Sequence, residues 1–198
     1  MEKRSLYLLC ARIFPLMVCS GIVYSVLPLY ITQELKASPS EIGLIYMTGA
    51  VAGVLLAPRL GKLGDRIGRR RVLLLSMVGF AVTFSIYFFL SHLSQAFAVQ
   101  ALEGASWAAL GATAPALVAD VAPREERGWA MGVYERTWSL GWIVGPLAGG
   151  FLAEHIGFRP TFLIGAGLVA LGALSLALAP GRPEGSPPPP FPAPGASS

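Results

Sequence analysis

Two places in this sequence set carboxylates where chain architecture alone would not. The first is "GKLGDRIGRRR", residues 61–71, where Asp65 stands among Lys62, Arg66, Arg69, Arg70 and Arg71. Bases at this density beside an apolar run reach lipid phosphates and fix orientation. An acid among them is unfavourable beside anionic lipid unless something holds it. Asp65 therefore reads as an acid that needs a partner. The second place is Glu103, in "AVQALEGASWAALG", about seven residues into an apolar run, or roughly 10 Å deep at helical rise. An ionised carboxylate there is costly, so Glu103 must face a cavity or carry a proton, or else be a structural, hydrogen-bonded carboxyl. Glu135 and Arg136 are adjacent and point about 100° apart on a helix, which reads as gate or structural charges.

The elements that position these residues follow from composition. Of 198 residues, 54% are hydrophobic and only 13% charged, against about 25% charged in soluble domains. A spanning helix needs about 20 mostly apolar residues. Six stretches qualify, at about 6–31, 42–60, 72–91, 96–118, 129–152 and 160–180. The apolar runs are continuous, which predicts helices rather than the short alternating strands of a barrel. Short connections make neighbouring helices antiparallel. The sequence therefore predicts an all-α membrane protein with a six-helix bundle over 1–180. The tail over 181–198 is predicted to be disordered or polyproline-like, because the nineteen residues from Pro180 hold eight prolines.

Charge placement sets the orientation. With the N-terminus inside, thirteen Lys and Arg residues fall on the inner side, and only Lys36 and Arg159 fall outside. Both termini are thus expected in the cytoplasm and the bundle in the cell (inner or plasma) membrane. The net charge of +4 reflects this bias and gives no reason to expect nucleic acid. Gly61, Gly64 and Gly68 are expected to turn the chain tightly between the second and third spans. Ser38 or Ser40 can cap the second helix, without a capping box. The second and fifth spans are each expected to run into a basic inner loop, compatible with a three-plus-three pseudo-repeat.

Catalytic chemistry finds little support. Cys10 and Cys19 lie on opposite faces of the first helix and cannot bridge. There is no Gly-rich phosphate loop and no metal-spaced Cys/His cluster, and His92 and His155 both sit at outer loops. No enzyme activity, metal or cofactor is expected.

The 61–71 loop resembles that between the second and third helices of the major facilitator superfamily of secondary transporters. Gly61, Leu63, Gly64, Asp65, Arg66, Gly68, Arg69 and Arg70 fit its pattern Gly-x-Leu-small-Asp-Arg-x-Gly-Arg-Arg. The resemblance implies that Asp65 latches the inner side of this bundle to a second one. It further implies a cytoplasmic cluster with Arg69, Asp120 and Arg127, since "DVAPREER" has the family's acid, six residues, then Arg. On the fifth span, Gly132, Gly141, Gly145, Pro146, Gly149 and Gly150 match the helix motif of the drug/proton antiporter branch. Gly141, Gly145 and Gly149 share one face, suited to close helix packing. In related antiporters the fourth helix carries Arg-x-x-Gln-Gly. Here Gln100 replaces the Arg, Glu103 replaces the Gln, and Gly104 fits. The resemblance makes Glu103 the proton-coupling candidate and Tyr24, Gln100, Trp107 and Trp138 cavity candidates.

What the resemblance implies is one half of a major facilitator fold, since such transporters have twelve or more helices around a cavity between two six-helix bundles. The expected function is a proton-coupled exporter of small molecules, with substrate, protons, lipid bilayer and a second six-helix half as partners. That second half would be another copy or a separate chain. The alternative is a non-transporting membrane interaction or regulatory protein derived from a transporter half.

Overall fold

The computed structural model describes residues 3–179, so the predicted tail lies outside the described residues. Six helices follow one another: α1 Lys3–Gln33, α2 Pro39–Ile67, α3 Arg69–Phe89, α4 Leu93–Val121, α5 Arg127–Ile156 and α6 Phe158–Ala177. A 3-10 turn at Arg124–Glu126 joins α4 to α5. Among the described residues, α1, α2, α3 and α6 are apolar enough by composition to cross a membrane. α4 and α5 are as long, and polar side chains interrupt them: Gln100 and Glu103 in α4, Glu135 and Arg136 in α5.

Two expectations about turns are corrected. Gly61 and Gly64 do not bend the chain, because α2 runs on through them to Ile67. Only Gly68 turns, with φ of 98°. Gly64 is instead a packing position: a Cβ there would come within 3.2 Å of Thr113 on α4. At the other end of α2, Ser38 begins a true capping box. Its hydroxyl accepts from the Glu41 amide at 3.3 Å, and the Glu41 carboxylate accepts from the Ser38 amide at 2.8 Å.

The pseudo-repeat is present, but not for the reason expected. α5 starts from the second predicted inner loop and runs away from it. Ile67-Gly68-Arg69-Arg70 joins α2 to α3, and Ile156-Gly157-Phe158-Arg159 joins α5 to α6 at the opposite end of the bundle. Both glycines have positive φ, 98° and 87°, which only glycine adopts without strain. The packing obeys the same exchange. α1 lies chiefly against α5, as α4 lies against α2, and α6 meets α1 as α3 meets α4. The two three-helix units are thus related by an inverted repeat, the arrangement of one half of a major facilitator fold.

Side chains lock the exchange. The Arg70 guanidinium donates to the carbonyls of Leu176 at 2.6 Å and of Ala179, closing the C-terminal end of α6. Arg159 donates to Phe88 O at 3.2 Å and Leu90 O at 3.0 Å, closing α3, and pairs with Glu34 at 2.9 Å. Each Arg satisfies carbonyls that a helix end leaves orphaned. Between them, Tyr30, Phe84, Tyr87 and Phe162 fill the core of α1, α3 and α6.

α1 and α5 approach through the glycine ladder. A Cβ on Gly145 would stand 2.7 Å from Gly21 Cα, and one on Gly149 would stand 2.9 Å from Ile22 Cα. Gly141 sits equally tightly against Met17 and Val18. Gly132 and Gly150 have no atom within 4 Å of such a Cβ, so they take no part in this contact.

Candidate functional site

Two groups of predicted residues are brought together, on two levels of the bundle. At the predicted inner end, Arg69 opens α3 and its Nη1 donates to both carboxylate oxygens of Asp120, each at 2.9 Å. Its Nη2 reaches Asp65 Oδ1 at 3.4 Å, one turn back on α2. Asp65, Arg69 and Asp120 therefore form one chain across α2, α3 and α4. Asp65 is its loose end, with a side chain 67% exposed. Arg127 does not join: no hydrogen bond or ion pair links it to Asp65, Arg69 or Asp120 among the described residues. It sits exposed at the first position of α5, beyond the 3-10 turn that carries the chain away. Arg66 is exposed, and Arg70 is committed to α6 as above.

The second group lies about a third of the way along α4 from its start, beside the last turn of α3. Glu103 is ten residues past Leu93, about 15 Å along α4, deeper than the sequence suggested. It is 0% exposed. The Tyr87 hydroxyl on α3 is 2.5 Å from Glu103 Oε2 and 3.0 Å from Gln100 Oε1, and Gln100 is itself 2% exposed. Glu103 Oε1 has no hydrogen-bond partner. Such an orphaned buried polar atom costs about 1–3 kcal/mol when nothing else satisfies it. A carboxyl held through one oxygen and open at the other can take up a proton or accept from a guest group.

A cavity of about 520 Å³ opens beside it, between α1, α2, α4 and α5. Tyr24, Tyr46, Gln100, Gly104, Trp107 and Trp142 line it. Trp107 Nε1 donates to Tyr24 OH at 2.7 Å. The two rings meet edge to face, 5.9 Å between centroids, and Trp107 stands one turn along α4 from Glu103. Trp138 is not in the wall. It packs behind Trp107, with centroids 5.5 Å apart. Sequence reasoning missed Tyr46, Tyr87 and Trp142. Tyr87 alone carried a signal, as a hydroxyl-bearing ring in the otherwise apolar "IYFFL" end of α3.

The close approach of α2 and α4 leaves room for this cavity. A Cβ on Gly49 would stand 2.9 Å from the Gln100 carbonyl, and one on Gly53 would stand 3.2 Å from the Gly104 carbonyl. Outward from the cavity, α2 presents Leu44, Met47, Val51, Val54 and Leu55, and α5 presents Ile143, Val144, Leu147 and Phe151, all exposed. In a membrane-spanning bundle such a face meets lipid tails or another set of helices.

Comparison with known proteins agrees with this architecture. The family model of the Major Facilitator Superfamily matches residues 9–197. The chain is 35% identical over 156 residues to a protein named multidrug resistance protein MdtG of Salmonella paratyphi A, and 34% identical to the proteins of that name in Salmonella typhi and Salmonella arizonae. Each match covers 75% of this chain and 38% of the relative, so the chain spans well under half the length of the curated relatives it matches. By its inverted three-helix repeat and by the match across nearly its whole length, the chain belongs to the major facilitator superfamily, a family of membrane transporters.

Proposed function

We propose that the chain acts as the first six-helix half of a proton-coupled exporter of small molecules that works by alternating access. Its termini lie in the cytoplasm and its bundle in the inner or plasma membrane. The observation that carries the reading is Glu103: a wholly buried carboxyl with one orphaned oxygen, one aromatic layer behind an apolar cavity. Protonated, it is tolerated in a dry site; ionised, it needs Tyr87 and a guest donor or water at Oε1. Substrate entering the cavity must disturb the Tyr24–Trp107 pair, and so changes how Glu103 is covered. Competition between guest and proton then couples their movements. The open α2/α5 face receives the second half, and Asp65, poorly held by its own bundle, latches to it at the inner end.

The Salmonella relatives are named multidrug resistance proteins, which supports drugs as the substrate class, and the largely apolar cavity favours hydrophobic or cationic ones. Inverted membrane vesicles test the reading with ethidium as probe. The chain is expressed alone, and together with the last six helices of the Salmonella relative. Dye uptake driven by a proton gradient is expected with the second half present. Uptake by the chain alone would mean that a second copy supplies that half. No uptake in either case, with the two parts co-purifying, would favour the non-transporting reading.

A further inference from the structure

Five prolines lie in helix interiors: Pro15 and Pro28 of α1, Pro58 of α2, Pro115 of α4 and Pro146 of α5. A proline has no N–H, so the carbonyl four residues before it loses its helical donor. Pro28 frees the carbonyl of Tyr24, Pro58 that of Val54 and Pro146 that of Trp142. All three residues line the cavity between α1, α2, α4 and α5, although only twelve residues do so. They come from three different helices, so the freed acceptors are gathered around one space.

In membrane helices a neighbouring hydroxyl often serves such a carbonyl. Here the polar side chains nearest in sequence are turned elsewhere. Ser25 donates to Ile22 O at 2.9 Å, Arg59 to Leu55 O at 3.3 Å and Thr137 to Val133 O at 2.9 Å. Among the described residues, no side chain donates to the carbonyl of Tyr24, Val54 or Trp142.

The rest of the wall favours a cation. The rings of Tyr46, Trp107 and Trp142 stand around that of Tyr24, at centroid distances of 6.0, 5.9 and 6.0 Å. Faces this close together attract one positive charge between them. Glu103 adjoins Gly104 of the wall and keeps one oxygen without a partner. No Lys, Arg or His lines the cavity, so an anion finds no counter-charge in its wall.

We propose that the cavity selects organic cations by the N–H bonds on their charged nitrogen. A protonated secondary or tertiary amine donates to the carbonyls that Pro28, Pro58 and Pro146 free, and a quaternary ammonium of the same shape does not. The aromatic rings and Glu103 attract both kinds alike, and the freed carbonyls tell them apart. Water serves these carbonyls when no guest is bound; a guest without N–H displaces it and leaves them unpaired. Ethidium, the dye used above, meets the rule through its ring amino groups, which share its charge. The proposal rests on the reading of this cavity as the substrate site and narrows the class of substrate.

Calorimetric titration of the whole chain in mild detergent at neutral pH tests it with three cations on one tricyclic frame. Desipramine has two N–H bonds on its charged nitrogen, imipramine one and N-methylimipramine none. Affinity should fall in that order, by about ten-fold from first to last, the size of one charge-assisted hydrogen bond. Pro28→Ala, Pro58→Ala and Pro146→Ala each return an N–H to one carbonyl and should narrow the spread, and the triple variant should bring it within about two-fold. Alanine is the better helix former, and Pro58 is exposed, so Pro58→Ala at least is expected to stay folded. Glu103→Gln should weaken all three amines alike, which reports on the underlying site and not on N–H selection. Equal affinity of the parent chain for the three amines would overturn the proposal and leave the reading of the cavity standing. So would a spread that persists unchanged in the folded proline variants. Binding of none of the three by the parent chain would overturn both.

Discussion

Arg70 of α3 closes the C-terminal end of α6, and Arg159 of α6 closes the C-terminal end of α3. Each is the second residue of its helix, each follows an Ile-Gly turn, and they lie at opposite ends of the same antiparallel pair. The repeat that builds the bundle is thus also the device that holds its two outer helices in register. Arg159→Ala removes bonds to two carbonyls and to Glu34, and should lower stability by about 1–3 kcal/mol. Arg159→Lys should recover part of that, since an ammonium cannot reach both carbonyls from one fork. Melting temperatures in one detergent check both, and equal melting of all three proteins would show that the clasp contributes nothing.

The glycine ladder separates residues that look alike in sequence. Gly145→Val forces bulk against Gly21 and Val18 and should displace α1 from α5, costing about 1–3 kcal/mol or preventing folding. Gly132→Ala and Gly150→Ala meet open space and should melt within about 0.5 kcal/mol of the parent, or slightly higher from helix propensity. A melt of Gly150→Ala as low as that of Gly145→Val would contradict the assignment of the contact face.

Asp65 and Asp120 share Arg69 but not its grip. Asp120 takes two bonds of 2.9 Å and Asp65 one contact of 3.4 Å. Asp120→Asn should therefore loosen the α3–α4 junction and lower melting temperature more than Asp65→Asn does. Asp65→Asn should instead impair transport by the assembled protein while leaving its level in the membrane unchanged. Unchanged transport in Asp65→Asn would remove the latch.

Much of this was legible in sequence because lipid imposes simple rules: long apolar runs must be helices, and bases must stay on one side. The same rules say that Asp65, a lone acid in a basic loop, needs a partner; that the partners are Arg69 and Asp120 comes from the family resemblance. Arg127 is grouped with them only by the family resemblance of "DVAPREER", and the 3-10 turn at Arg124–Glu126 carries it off. Gly61 and Gly64 were misread because glycine signals a turn only when no neighbour rewards a bare backbone, and here α4 packs against Gly64. Glu103 stood out as a charge in an apolar run. Tyr87 and Tyr46 did not, because their parts depend on which helices lie beside α4, and single-chain periodicity does not specify neighbours. The inverted repeat was hidden by its own geometry, which pairs a basic inner loop with a nearly neutral outer one.

Glu103 is the residue on which the account turns. The chain is reconstituted in proteoliposomes with a second six-helix half, and ethidium transport is followed together with proton movement under an imposed pH gradient. Glu103→Gln keeps the shape of the side chain and still offers an acceptor to Tyr87, so its melting temperature should match the parent within a few degrees. The account predicts that this variant loses proton-driven transport and substrate-induced proton release together, while Glu103→Asp retains a reduced rate of both. Glu103→Gln transporting at the parent rate, with proton release intact, would contradict it.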